Sequence, residues 1–417
     1  MPMLLARARA VQQEYPRQFW VLFFGSLINN AGSGLVFPFL SLYLTRQLKF
    51  SMIEVGIAYA AFAVTSVISQ VAGGSLADCW GRKPVMLVGL LGSAAGTLLF
   101  ACTSLLDLSS TAQRWGWVAV IVLVMGLTNS AFGPAANAMI ADLVGGEKRQ
   151  QAYGLLRVVQ NLGLSIGPAV GGFIAHFSYF ALFSVAAASS LLYSLVLALY
   201  SRETRPQAAR PEVSAASVPA AGAGFRHVLV DWSFMAFCGL VFISQVVYSQ
   251  MNTTLPVYLN RDFGVSEQWY GLLMSLNALL VVLFQFPLTR HTSRVDKSVM
   301  MALGNGFYAI GFGMFAFISG MPLFFLAQAT WTLGEMLAVP VAQALVADFA
   351  PEVMRGRYMG VYGVATAFAF GLGPLLGGML MDGLGGRYIW YAAILLDGLV
   401  LLGFLALRDV FKRRAMG

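Results

Sequence analysis

The sequence predicts an all-α membrane protein of twelve transmembrane helices arranged as two six-helix, pseudo-symmetric bundles. Three observations carry that expectation. The 417 residues are 58% hydrophobic and 11% charged, against about 25% charged in a soluble domain, and the mean hydropathy is +0.74. Apolar runs long enough to cross a ~30 Å hydrocarbon core as helices recur along the whole chain. The two halves also repeat each other at a fixed offset, Pro134 matching Pro340 and Asp142 matching Asp348.

The runs place spans one to twelve at 19–45, 53–78, 84–106, 116–144, 151–176, 179–201, 233–259, 268–289, 299–320, 322–349, 357–382 and 388–407. Arg7, Arg9 and Arg17 interrupt the start of the chain, so the first span is expected to act as its own insertion signal and not as a cleaved leader. Cys79, Cys102 and Cys238 are an odd number in or beside apolar runs, which implies neither a disulfide framework nor a zinc site. His176, His227 and His291 do not cluster, and neither metal nor cofactor is expected.

A net charge of +8 would suggest nucleic acid in a soluble chain, but here the basic residues follow the topology. Only Arg46, Lys49, Arg114, Arg261 and Arg387 fall on one side, and the other 21 of the 26 Lys and Arg fall on the opposite side. The positive-inside rule makes that second side, with both termini, cytoplasmic. No nucleic-acid partner is expected. Short loops and the lack of a large soluble domain point to a prokaryotic plasma (inner) membrane and to a monomer.

Residues 202–224, rich in Ala, Pro and Arg without a helical apolar face, read as a cytoplasmic linker between bundles at 1–201 and 225–417. The repeat continues through Ala141, Arg149, Gly154, Gly167, Pro168, Gly171 and Gly172, matched by Ala347, Arg355, Gly360, Gly373, Pro374, Gly377 and Gly378. Chance similarity between apolar helices would match Leu and Ala instead. Parallel repeats are a plan of membrane carriers that bind a small molecule near the midplane, between the halves.

Two motifs narrow the reading. The loop after span two holds Gly74, Asp78, Gly81, Arg82 and Lys83, and span five holds Gly154, Gly163, Gly167-Pro168 and Gly171-Gly172. Gly163, Gly167 and Gly171 lie four apart and give a smooth face for close helix packing, at a bend set by Pro168. With the six-plus-six layout, these features resemble the major facilitator superfamily over essentially the whole chain, and within it the 12-helix drug/proton antiporters. Two differences stand out. Val122 precedes Gly126 where such antiporters often carry an arginine, and the span-five motif nearly recurs in span eleven. The resemblance implies a secondary transporter working by alternating access, not an enzyme, with protons and a small amphipathic solute as partners.

Glu335, in the middle of span ten, is the most informative residue. A charged carboxylate at the bilayer centre costs roughly 2.5–3.5 kcal/mol on insertion scales, so it is expected to face a cavity, to pair or to carry a proton. Trp331 lies one turn away on the same face, positioned to stack on an aromatic or cationic solute. Asp142 is a second candidate for proton coupling. A conformational gate is expected from Gly74, Asp78, Gly81 and Arg82, and from Asp348 with Arg355, each acid at a helix end near a cation.

Polar stripes at helical spacing nominate solute contacts: Ser26, Asn30, Ser33 and Phe37 in span one, and Gln245, Tyr248 and Asn252 in span seven. Asn129 and Phe132 in span four, Arg157 and Asn161 in span five and Asn277 in span eight join them. Asp397, mid-span in the twelfth helix, reads as a scaffold residue. A transporter of a sugar, another polar metabolite or a lipid is the alternative on the same fold, using the Asn, Gln and Tyr stripes more than Glu335. An intramembrane enzyme would need a nucleophile–base pair or a cofactor loop, and no such motif is visible.

Overall fold

The computed structural model describes residues 14–106, 108–204, 221–292, 294–351 and 354–411. Among them, eleven helices are long and apolar enough to cross a membrane. They are Arg17–Arg46, Met52–Trp80, Arg82–Cys102, Thr111–Leu143, Gln151–Phe177, Tyr179–Tyr200, Trp232–Asn252, Glu267–Thr292, Met321–Phe349, Arg357–Gly383 and Gly386–Ala406. The ninth place in the series is taken by Lys297–Met314, 18 residues long. Lys297, Asn305 and its glycines dilute its hydropathy.

Local chemistry sets where the helices start and break. Ser110 caps span four in a reciprocal capping box with Gln113, Ser178 caps span six, and Asp231 and Asp296 cap spans seven and nine. Each satisfies an N–H that the first helical turn leaves open. Spans one and seven are each interrupted by a 3-10 turn, at Phe37–Phe39 and at Gln250–Asn252. Pro38 has no N–H with which to continue the α ladder. In span seven the Gln250 side chain donates to the Gly373 carbonyl of span eleven, at 2.7 Å. Such turns inside a long helix often mark hinges.

Several expected boundaries shift, and span four begins at Thr111, five residues before the expected 116. Span three ends at Cys102, four residues short of the expected 106, because 103–105 tighten into a 3-10 turn. Span nine stops at Met314, not 320. Span seven resumes after its turn as Thr254–Phe263. The expected linker, 202–224, falls largely on 205–220, outside the described residues. Its last residues, 221–224, open the helix Ala221–Val230.

The chain divides into two compact units. The first comprises Met1–Phe37 and Val64–Arg210, and its core gathers Phe19, Leu22, Met86, Leu90, Met139, Ile140, Tyr193 and Leu197. Lipid tails are as apolar as these side chains, so close packing supplies the cohesion. Spans one and five show how close: a methyl on Gly167 would come within 2.6 Å of the Gly34 Cα, and one on Gly163 within 2.9 Å of the Ala31 nitrogen. The second unit comprises Pro38–Ala63 and Pro211–Gly417, with a core of Phe234, Phe237, Phe349, Tyr358, Phe404 and Phe411. Within it, the start of span two lies on span eleven: a methyl on Gly56 would reach within 2.9 Å of the Pro374 carbonyl oxygen.

Gly167→Val is expected to cost about 1–3 kcal/mol by overpacking, read as a lower Tm of the purified protein. Gly154→Ala, where a methyl meets nothing within 4 Å, is expected to leave Tm unchanged. Equal melting of the two variants would refute the close-contact account of the span-five motif.

Candidate functional site

In the second unit, three spans converge on Glu335. The Tyr248 hydroxyl of span seven donates to Oε1 at 3.0 Å, and Nδ2 of Asn277 in span eight donates to Oε2 at 2.6 Å. Asn277 Nδ2 also donates to Thr332 Oγ1 at 3.1 Å, so one amide ties span eight to two successive turns of span ten. No basic side chain pairs with Glu335 among the described residues. Its only donors are neutral, which leaves the carboxyl free to exist with or without a proton.

Aromatic rings enclose this acid. Tyr248 lies 6.0 Å from Tyr308, 5.9 Å from Trp331 and 6.1 Å from Phe370, centroid to centroid. Trp331 is fully buried, stacked on Phe312 at 5.2 Å and 11°, and its indole N–H donates to Gln328 at 3.2 Å. The face expected to stack on a solute is therefore taken by Phe312 here, and Tyr248 is the ring that touches the acid, with Tyr308, Trp331 and Phe370 packed around it. An acid walled by aromatic rings favours a delocalised or weakly hydrated cation over a strongly hydrated one.

The basic end of the first unit carries a second cluster. Arg82, with a side chain 12% exposed, pairs with Asp78 at 3.0 Å and with Asp142 at 3.2 Å. Thr204 also donates to Asp142, at 3.1 Å. The first backbone N–H groups of span three, on Arg82 and Lys83, donate to the two oxygens of Glu203 at 2.9 and 3.0 Å. The Lys83 ammonium meets the carbonyls of Ala198 and Ser201 at 2.7 and 2.8 Å. An anion thus sits on a helix N-terminus and a cation on a helix C-terminus, each in its favoured place. Gly81 makes the turn at φ +108°, against the Glu203 carboxylate. Gly74 has open space where a side chain would be. The second unit holds a counterpart, in which Asp348 at the end of span ten is ion-paired with Lys297 at the start of span nine.

At the other end of the second unit, Arg46 is ion-paired with Glu267 at 2.5 Å. The Ile53 N–H, in the free first turn of span two, donates to Asp382 at 2.8 Å.

A family model of the Major Facilitator Superfamily matches residues 22–266 and 237–414. The chain belongs to that superfamily. An MFS-type transporter of Bacillus subtilis is 28% identical over 95% of this chain and 94% of that protein. The multidrug resistance protein MdtH of Aeromonas hydrophila is 28% identical over 87% of each. A Na(+), Li(+), K(+)/H(+) antiporter of Planococcus maritimus is 26% identical over 83% of this chain and 85% of that one. Among solved structures, a POT family transporter in complex with 5-aminolevulinic acid superposes with a TM-score of 0.77 at 14% identity, covering 95% of this chain and 97% of that one. The nucleoside transporter NupG gives 0.75 at 16%, covering 93% and 99%. These superpositions establish the fold. The protein is a multi-pass membrane transporter of the major facilitator superfamily and not an enzyme.

Within this major facilitator fold, the nominated residues separate into those brought together and those left apart. Tyr248, Asn277, Trp331 and Glu335 form one site. Gln245, one turn before Tyr248, has a buried side-chain oxygen without a partner, and Asn252 sits in the 3-10 turn of the same span. In the first unit, Asn30 donates to the Ser26 carbonyl of its own helix at 2.7 Å, and Phe132 packs edge-on to Tyr193 at 5.8 Å. Phe37, Arg157 and Asn161 are exposed and Asn129 is half-buried. Asp142 was expected to share proton coupling, and its carboxylate is engaged by Arg82 and Thr204. Gly171 and Gly172 are buried. The side chains of Arg149 and Arg355 lie outside the described residues, and the partner found for Asp348 is Lys297.

Sequence reasoning missed Glu203, Tyr308, Phe370, Arg46, Glu267 and Asp382. One signal pointed to Arg46, a rare basic residue on the side of the topology that is nearly free of them. Glu267 is only 6% exposed. A double-mutant cycle of Arg46→Gln and Glu267→Gln is expected to give a coupling of about 0.5–1 kcal/mol, discounted for the half-exposed arginine. Additive losses in thermal melting would show the pair to be energetically silent.

Proposed function

We propose that this transporter is a proton-coupled exporter of small amphipathic compounds, aromatic or cationic in character, that works by alternating access with Glu335 as the proton-carrying acid. One observation carries the reading: a membrane-embedded carboxyl with two neutral donors, no paired cation and a wall of aromatic rings. The neutral acid and the carboxylate are both accommodated there, which a permanent salt bridge would not allow. A cationic solute and a proton would compete for the same oxygens. Binding either one neutralises the site, and the differential affinity of the two facings for that ligand sets the direction of the shift.

The energetics suffice, since one charge moving down ~100 mV supplies about 2.3 kcal/mol, equivalent to roughly a fiftyfold gradient. The name of the Aeromonas relative, a multidrug resistance protein, agrees with a drug-like solute, and that of the Planococcus relative with cation/proton antiport. The Planococcus name supports a second reading, exchange of a monovalent metal cation for protons at the same carboxylate. The gate clusters at Arg82 and Lys297 suit the basic, cytoplasmic side, where they would tie and release helix ends as the facing changes.

The test is reconstitution in liposomes with an imposed pH gradient, following ethidium and, separately, Na+ and K+. Wild type is expected to move ethidium with the gradient, Glu335→Gln to abolish that flux, and Tyr248→Phe to reduce it severalfold. Gradient-driven Na+ or K+ flux without ethidium flux would select the cation/proton reading. Ethidium flux that persists in Glu335→Gln would remove Glu335 from the mechanism.

A further inference from the structure

Span twelve turns the stripe Ile389, Trp390, Ala393, Asp397, Val400 and Phe404 towards the interior of the second unit. Asp397 stands in the middle of that stripe and of the 21-residue helix. It is fully buried, and neither of its carboxyl oxygens has a hydrogen-bond partner. A structural acid in such a place is normally held by donors, because a carboxyl without them is costly in either state and worst as an anion. The scaffold role expected from the sequence requires partners that Asp397 does not have.

What lies around it is a line of polar groups running towards Glu335. Span nine packs along span twelve, with Gly306 beside Leu401 and Gly313 beside Ile394, which brings Asn305 and Tyr308 to the level of Asp397. Asn305 is fully buried and accepts from Ser244 of span seven at 2.6 Å. The Tyr308 hydroxyl is buried without a hydrogen-bond partner among the described residues, and its ring lies 6.0 Å from that of Tyr248, whose hydroxyl donates to Glu335. Among the described side chains, the titratable groups on the elements packed against span twelve are Tyr308 of span nine, Cys238 and Tyr248 of span seven, Tyr358 and Tyr362 of span eleven and Tyr258 of the helix Thr254–Phe263; the charged ones, Lys297, Arg357, Asp382, Arg261 and Asp262, lie towards the helix ends, as does Arg387 on span twelve itself. Lys297 and Arg408, at the far ends of spans nine and twelve, are engaged by Asp348 and Asp296.

We propose that Asp397 is a second proton-binding site of this transporter. It rests on the proton-coupled reading above and adds to it a second carboxyl that no solute touches. Asp397 takes up a proton as its O–H bond forms and gives the same proton back to water when the unit opens to it. Both events leave the rest of the site chemically unchanged.

The measurement is proton release from the purified protein in weakly buffered detergent solution, read with a pH indicator while ethidium is added. Glu335→Gln and Asp397→Asn are each expected to lose part of the wild-type release, and the double variant all of it. Release in Asp397→Asn equal to wild type overturns the proposal. Infrared titration of the carboxyl C=O band supplies a readout that needs no solute. Wild type should show a titrating neutral-acid band that Asp397→Asn lacks. If ethidium releases no protons even from wild type, the exporter reading falls, and the presence or absence of that band decides Asp397 by itself. Should Asp397→Asn fail to fold, Asp397→Leu serves. Gradient-driven flux in Asp397→Leu equal to that of wild type would sink the second site.

Discussion

Everything in this molecule depends on the exclusion of unpaired charge from hydrocarbon. A lipid core offers no water to a backbone amide or a carboxylate, so helices satisfy the backbone internally and charge retreats to the helix ends. The ends then become the places where spans can be fastened to one another electrically. Arg82, Lys83, Glu203 and Asp142 at one site, and Lys297 with Asp348 at another, are direct products of that exclusion. Cohesion along the length of the spans has to come from shape instead, which is why glycines face glycines between spans one and five.

The same constraint explains why two acids are conspicuous. Glu335 is kept by neutral donors from two other spans, an arrangement that tolerates a change of charge. Asp397 has no such support. On the reading proposed above, these two acids are kept where they can take up and release a proton. Function, in this view, occupies the positions at which the general rule is broken.

Much of the architecture was legible in the sequence because the rule acts locally. Apolar runs gave the spans to within a few residues, and the 206-residue echo exposed the duplication. Glu335 stood out as a charge in an apolar run and Trp331 by its helical spacing from it, while Tyr248 was marked by the polar stripe of its own span and Asn277 as a polar residue within span eight. The contacts that stayed hidden join distant segments. Arg46 and Glu267 are 221 residues apart, and Glu203 reaches back 121 residues to Arg82. Helical periodicity says nothing about such pairs. The partner of Asp142 stayed hidden for a related reason: its sequence shows an acid near a helix end, while Arg82 lies sixty residues away. The grouping of Pro38–Ala63 with the C-terminal residues is likewise a property of packing that no single helix encodes.

Glu203 and Lys83 bear on how this chain could be divided. Residues 201–204 follow span six and look like the beginning of a connector, yet Ser201 and Glu203 clasp the start of span three from both sides. Severing the polypeptide before Glu203, to express the halves separately or to splice in a reporter, would separate two backbone amides of span three from the chain end that brings them their carboxylate. A cut intended to be silent belongs beyond Thr204, whose hydroxyl still holds Asp142.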